Sequence, residues 1–193
     1  MTTDSPPDSD LFFMRVMESP IGHLYLVSNG TAITFLSIGD PAETPDVVLT
    51  NPHALLDHAA GQLAEYFAGE RREFDLPLEP RGTPFQQAVW SCLRETPWGE
   101  VTSYGAIAAT TGRPAAGRAV GAAVAANPIA LLVPCHRVLD ADGRITGYSQ
   151  GEGVPTKAWL LSHEGIAHRL PAGYIGPGSD HELQLAWGAW GAW

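Results

Sequence analysis

The sequence predicts an α/β N-terminal domain, a short antiparallel sheet plus one helix. A mainly α C-terminal domain with a winged-helix-like helix-turn-helix follows. Three observations carry this reading: short β-rich runs broken by turn signals come first, an amphipathic helical period follows, and capped helix-length segments dominate beyond residue 80. A chain of 193 residues, 45% hydrophobic and 17% charged, has the composition of a globular protein able to bury a core in one or two domains. The expected divisions are a disordered lead at 1–10, the N-terminal domain at 11–80, the C-terminal domain at 81–170 and an appended Gly/Trp-rich tail at 171–193.

The first domain is read from its turns. FFMRVMESP (12–20), HLYLVSNG (23–30) and AITFLSIGD (32–40) are separated by Pro-Ile-Gly and Asn-Gly signals and form an antiparallel meander. PAETPDVVLTNP (41–52) is a Pro-rich loop. In HALLDHAAGQLAEYFAGE (53–70), Leu55, Leu56, Ala59, Leu63 and Phe67 fall at helical spacing. His53 and His58, five apart, miss the spacing of a ligand pair and are expected at the surface. EFDLPLEPRG (73–82) is an extended link, with Pro80 and Gly82 at the boundary.

The second domain opens with TPFQQAVWSCLRETPWG (83–99), where Thr83 is an N-cap and Pro84 takes the first helical position. Phe85, Val89 and Leu93 make its apolar stripe, and Cys92 is expected as a buried, inert thiol. Ser103 caps a short helix running to Thr110, Gly112 breaks it, and Pro114 opens an Ala-rich helix that ends before Asn127-Pro128. Two short helices around a Gly-containing turn have the form of a helix-turn-helix, and also of an ordinary packing unit. The second helix carries only Ala, Gly and Val around Arg118, so it has almost nothing with which to read base edges. IALLV (129–133) is a buried strand or tight loop leading into Pro134-Cys135-His136, and PTKAWLLSHEG (155–165) is a helix closed by Gly165.

Charge is divided unevenly. Residues 1–80 carry a net −10, residues 81–170 a net +2, and residues 171–193 a net −2. A mildly basic half beside an acidic half points to two units with different tasks, and +2 falls short of a strongly basic nucleic-acid footprint. Ten of the eleven basic residues are Arg. Two cysteines exclude a disulfide framework, and no run of 18 apolar residues exists to span a membrane. The acidic lead is unlike a secretory signal, so the expected setting is a reduced cytoplasm.

Cys135 beside His136 raises a thiolate hypothesis, since a neighbouring base or cation increases the ionised fraction of a thiol. Neighbouring residues of a strand face opposite ways, so His136 would have to act through a tight turn or a bridging water. Glu164 could orient it. The local sequence leaves a nucleophile and a structural cysteine equally open.

PCHRV (134–138), together with FQQAVW (85–90), PWGEVTSYGAIA (97–108), RAVGAA (118–123), NPIALLVPCHRV (127–138), TGYS (146–149) and WLLSHEG (159–165), resembles the O6-alkylguanine-DNA alkyltransferases, the methylated-DNA–protein-cysteine methyltransferases. The blocks occur in the family's order and spacing over about residues 83–165, and SPIG (19–22) sits where the family has an early hairpin. The resemblance implies irreversible, single-turnover transfer of a methyl or alkyl group from O6-alkylguanine in double-stranded DNA, and from O4-methylthymine, with the base flipped out. It implies Cys135 as acceptor, His136 as the base acting through a water, Glu164 as its orienting acid, and Asn127 as the brace of that network. It implies Tyr104 as donor to the flipped base, Arg118 as the residue filling the vacated stack, Tyr148 and Ser149 as the pocket loop, and Val138 as the backbone contact to the exocyclic amine. No metal or cofactor is implied, binding is to the minor groove without sequence choice, and the protein is expected to be a monomer.

This chain departs from the family pattern at Val124, where Asn or Met is usual, and at Gln150, where Gly is usual. Gln150 is expected either to narrow the pocket against bulky adducts or to face solvent. The rival functions are a non-catalytic alkylated-DNA-binding relative, which would lack the acceptor cysteine, a cysteine hydrolase, and a helix-turn-helix regulator.

Overall fold

The computed structural model describes residues 12–39, 48–49 and 53–175. The predicted lead at 1–10, most of the loop at 41–52 and the tail beyond residue 175 lie outside them. Three strands, β1 (Phe12–Met17), β2 (Leu24–Ser28) and β3 (Ile33–Ile38), form the predicted antiparallel meander. A fourth, β4 (Val48–Leu49), pairs parallel with β1, so the sheet is mixed, with order β3-β2-β1-β4. Sequence reading placed β4 inside a loop because two residues give no period to detect.

One sheet face is covered by α1 (Ala54–Phe67), which buries Leu56, Ala59, Leu63 and Tyr66. His53 is not a simple surface residue as expected: its ring stacks on Phe13 with centroids 4.3 Å apart. His58 is exposed and meets the Gln62 amide across one helical turn.

The second domain is helical: α2 (Pro84–Arg94), α3 (Tyr104–Thr110), α4 (Gly117–Ala125) and α5 (Val154–His163), with a two-strand parallel pair of β5 (Thr102–Ser103) and β6 (Val138–Leu139). Thr83 and Gln86 form a complete capping box at the start of α2, and Ser103 caps α3 by accepting from the Ala106 N–H. Pro114 does not open α4. Residues 113–116 close a turn instead, with the Ala116 N–H donating to the Arg113 carbonyl, and the helix starts at Gly117. Val89, Trp90 and Leu93 of α2 are buried, and Trp90 Nε1 donates to the Ala123 carbonyl at 2.8 Å, which pins α2 to α4. Phe85 is half-buried under the Arg113 guanidinium. Cys92 is half-buried rather than buried.

The two halves share one hydrophobic core, running from Leu24 and Leu36 of the sheet through Leu63 and Trp90 to Val133 and Leu160. They also share the open edge of β3. Leu36 donates to the Pro128 carbonyl at 2.9 Å and accepts from the Ala130 N–H at 3.0 Å, so the segment entering the Cys135 turn is held by the first domain's sheet.

Removing the α2 cap isolates one of these local contributions. Thr83→Ala will destabilise the protein by about 1 kcal/mol, because the Gln86 N–H and the reciprocal bond to the Thr83 backbone lose their fixed geometry. Urea unfolding will show a lower midpoint with an unchanged slope.

Candidate active site

Cys135, His136 and Arg137 form one turn of 3-10 helix between Pro134 and β6. This answers the orientation problem of a strand, since a tight turn fans adjacent side chains without placing them on opposite faces. All three residues are buried. The approach to the turn is itself constrained. Leu131 has φ of 66°, a left-handed conformation uncommon outside glycine, and Asn127 braces the segment from both ends. Its Oδ1 accepts from the Ile129 N–H at 3.1 Å and its Nδ2 donates to the Val133 carbonyl at 2.7 Å.

Glu164, the C-cap of α5, collects the charges of the site. His136 Nε2 lies 2.8 Å from its Oε1, and Arg137 donates through Nε to Oε2 at 2.7 Å and through its second terminal nitrogen to Oε1 at 2.9 Å. The Tyr66 hydroxyl, arriving from α1, also donates to Oε1 at 2.8 Å. Burial alone would raise the Glu164 pKa, but the bonds from His136 and Arg137 outweigh it and hold it at about 2. Burial lowers the His136 pKa below its ordinary value, with the Glu164 carboxylate opposing. The resting imidazole is therefore neutral. Because a carboxylate only accepts, Nε2 carries the proton and Nδ1 holds the lone pair. That Nδ1 is buried and has no hydrogen-bond partner among the described residues.

The thiol is treated the opposite way. Burial pushes the Cys135 pKa up, while the Asn127 amide, the Lys157 ammonium and the Tyr148 hydroxyl pull against it. The resting site thus pairs a protonated thiol with a neutral imidazole whose Nδ1 is basic.

A cavity of about 240 Å³ opens onto Cys135. Tyr104, Val124, Thr146, Tyr148, Ser149 and Lys157 are among its walls. Tyr104 bonds the Thr146 hydroxyl at 2.9 Å, and Ser149 donates to the Ala125 carbonyl at 3.3 Å, so the loop 146–149 is tied to α3 and α4. Arg118 is exposed at the start of α4, lies outside the cavity lining, and makes no hydrogen bond or ion pair among the described residues. Val138 is buried in β6 and also does not line the cavity; its carbonyl already accepts from Lys157 Nζ at 2.6 Å.

Several residues of the site escaped the sequence reading, Arg137 and Thr146 among them, and two of the others lie on helix faces. Lys157, the chain's only lysine, is buried, and burial lowers its pKa to about 8. It shares a helix face with Leu160 and Leu161, a visible sign that it points inward. Tyr66 continues the Ala59–Leu63 face of α1, and a buried phenol needs a polar partner. Gln150 fits neither expectation. It does not line the cavity, and its Oε1 accepts from the Ile38 N–H at 3.1 Å instead of pointing to solvent. Among the described residues no cluster of His, Cys, Asp or Glu could hold a metal ion.

Two family models match the chain: the 6-O-methylguanine DNA methyltransferase ribonuclease-like domain over residues 13–80, and the DNA binding domain of the same family over residues 84–166. A methylated-DNA–protein-cysteine methyltransferase of Methanosarcina acetivorans is 43% identical over 156 residues, covering 79% of this chain and 98% of the relative. Its counterpart in Mycobacterium tuberculosis is 46% identical over 159 residues, covering 82% and 94%. The crystal structure of the M. tuberculosis O6-methylguanine methyltransferase superposes with a TM-score of 0.71 at 43% identity, covering 79% of this chain and 92% of that one. A structure of the M. tuberculosis protein in complex with DNA gives the same TM-score at 43% identity, covering 80% and 92%.

The Glu164 cluster makes a pH signature. A carboxylate at about 2 when folded, against 4.5 ordinarily, contributes stability that is complete above about 4.5 and is lost as the pH falls toward about 2. Glu164→Gln removes this contribution and leaves Arg137 buried without its counter-charge, a loss of about 3–5 kcal/mol at neutral pH. The stability gap between the two proteins will narrow as the pH is lowered through that window, measured by urea unfolding at a series of pH values.

Proposed function

The chain belongs to the 6-O-methylguanine DNA methyltransferase family, and on that premise we propose that it repairs DNA by direct reversal, moving the alkyl group of O6-alkylguanine in duplex DNA onto Cys135, irreversibly and once per molecule. The observation that carries this is the pairing at the cavity: a thiol lining a space of about 240 Å³, next in sequence to an imidazole held in the tautomer that leaves its second nitrogen basic. O4-methylthymine, with the same O-alkyl linkage, is a second substrate for the same displacement.

The chemistry needs no metal or cofactor. The target base lies inside the duplex and must be extruded, which costs a few kcal/mol and is cheapest for a weakly paired, damaged base. Arg118, uncommitted on the exposed side of α4, fills the gap in the stack. α4 carries no other long side chain, so it approaches the minor groove closely and reads no sequence. With the base in the cavity, the Cys135 proton passes through a water to His136 Nδ1, and the imidazolium is stabilised by Glu164. The sulfur attacks the alkyl carbon, a C–S bond forms as the C–O6 bond breaks, and the electron pair moves onto the guanine. Tyr104 donates to the base as that charge develops. Asn127 holds the turn, Tyr148 and Ser149 wall the base, and the Val138 carbonyl takes the contact to its exocyclic amine. Lys157 fixes that carbonyl and favours the thiolate by its charge. The product thioether has no hydrolysis route, so the protein acts once. Among the described residues no helix is long and apolar enough to cross a membrane, and the protein acts as a monomer in the cytoplasm.

Incubation with duplex carrying tritiated O6-methylguanine will move label to protein up to one methyl per molecule. Cys135→Ser will abolish transfer and Cys92→Ser will leave it within about a few-fold. Turnover beyond one equivalent would mark a hydrolase, and DNA binding with no transfer would mark a non-catalytic relative. Arg118→Ala will slow repair of duplex far more than reaction with free O6-benzylguanine, where there is no stack to fill; equal slowing on both would remove Arg118 from that role.

A further inference from the structure

The free edge of β3 receives three segments in turn. Ile33 donates to the Pro77 carbonyl and accepts from the Glu79 N–H, at 2.8 and 2.9 Å, and Leu36 does the same with Pro128 and Ala130. These are parallel bridges, centred on Leu78 and Ile129. A bulge opposite Val27 and Ser28 resets the alternation, which is why residues three apart both present their backbone outward. Ile38 is the third position. Its carbonyl accepts from the Gly151 N–H at 2.9 Å, as the pattern requires. Its N–H should then meet the carbonyl two residues before Gly151, that of Ser149. It meets Gln150 Oε1 instead.

A side-chain amide therefore stands in for a backbone carbonyl, and Ser149 is released from the ladder to line the cavity. The segment that makes this contact is the continuation of the pocket loop, with Thr146, Gly147, Tyr148 and Ser149 all on the cavity wall. The loop has no strand or helix of its own between β6 and α5. Its approach to β3 is close: Gly151 has φ of 54°, and a Cβ there would lie 2.6 Å from Thr156 Oγ1 and 3.1 Å from Ile38 Cγ2. The family's usual glycine at position 150 could not supply the acceptor.

We propose that Gln150 is a positioning residue for substrate binding, fastening the wall formed by Tyr148 and Ser149 to the edge strand of the first domain. The proposal rests on the alkyl-transfer reading for its substrate and on the ladder for its geometry. It reverses the sense of the sequence expectation: the side chain holds the wall in place and does not obstruct the cavity.

Gln150→Met keeps the length and removes the acceptor, while Gln150→Glu keeps an acceptor oxygen. Two readouts separate the fastening from its consequence. Hydrogen exchange of the Ile38, Gly147, Tyr148 and Ser149 amides will be faster in Gln150→Met by about 3- to 10-fold, the range for one lost hydrogen bond, and near wild type in Gln150→Glu. In the reaction with O6-benzylguanine, the concentration for half-saturation will rise by the same factor in Gln150→Met, with the limiting transfer rate within about 2-fold of wild type. Unchanged exchange at Gly147–Ser149 overturns the proposal, and so does faster exchange with unchanged half-saturation. If the wild-type protein transfers no alkyl group at all, the parent reading fails by itself, and the exchange data still decide whether Gln150 fastens the loop.

Discussion

A single buried carboxylate organises this molecule. Glu164 accepts four hydrogen bonds from three residues, Tyr66, His136 and Arg137, and so joins α1 of the first domain, the Cys135 turn and the end of α5. Taking a carboxylate out of water is costly, and only a full complement of donors makes it tolerable. The two-pronged Arg137 supplies the formal counter-charge and carries the network onward to the Thr96 carbonyl at 2.6 Å. The same charge selects the His136 tautomer. Stability and chemistry therefore share one group, and neither can be changed without the other.

The parts of this arrangement that were legible in the sequence were local. Thr83 and Ser103 announced their helices because a cap is a short-range hydrogen bond between residues three apart. The Cys135–His136 pair was visible as neighbours, and Glu164 as a carboxylate able to orient the imidazole, but only the resemblance favoured a nucleophile over a structural cysteine, since neither period nor spacing links residues 28 apart. Pro114 misled because the first helical position and a turn suit proline equally, and here the Ala116 N–H closes the turn. Tyr66 and Lys157 lay on apolar helix faces, which marks inward polar groups, but their partners belong to other elements. Gln150 stood out as a departure from the family pattern, but nothing in the sequence gave its partner, a backbone N–H 112 positions earlier, available only because β3 is an edge strand.

That edge gives the acidic first domain a structural task beside a DNA-repair domain. Exposed strand edges invite unwanted pairing and are usually blunted or covered. Here the edge is consumed by the interdomain link, by the segment entering the Cys135 turn and by the end of the pocket loop. The first domain thus fixes the Cys135 segment and the cavity loop relative to each other, and Tyr66 adds a third tie through Glu164. The net −10 of residues 1–80 repels a phosphate backbone, which the mildly basic residues 81–170 do not.

The resting ionisation of the site follows from a reaction that spends the protein. A permanently ionised thiolate would react fastest, and it would also be the form consumed by oxidants and stray electrophiles. In a protein that turns over, such losses only remove a catalyst; in one that acts once, each is a lesion left unrepaired. Burial holds Cys135 as a thiol and His136 as a neutral base, and both shifts oppose ionisation in the empty site. Lys157, Asn127 and Tyr148 oppose the Cys135 shift, so the thiolate is disfavoured and still within reach. In the proposed reaction, a flipped base in the cavity adds the Tyr104 contact and a leaving group able to take the electron pair, and the proton transfer becomes coupled to a productive displacement. The buried network thus trades, in that proposed reaction, intrinsic thiolate reactivity for selectivity, with ionisation favoured only when a substrate is present to use it.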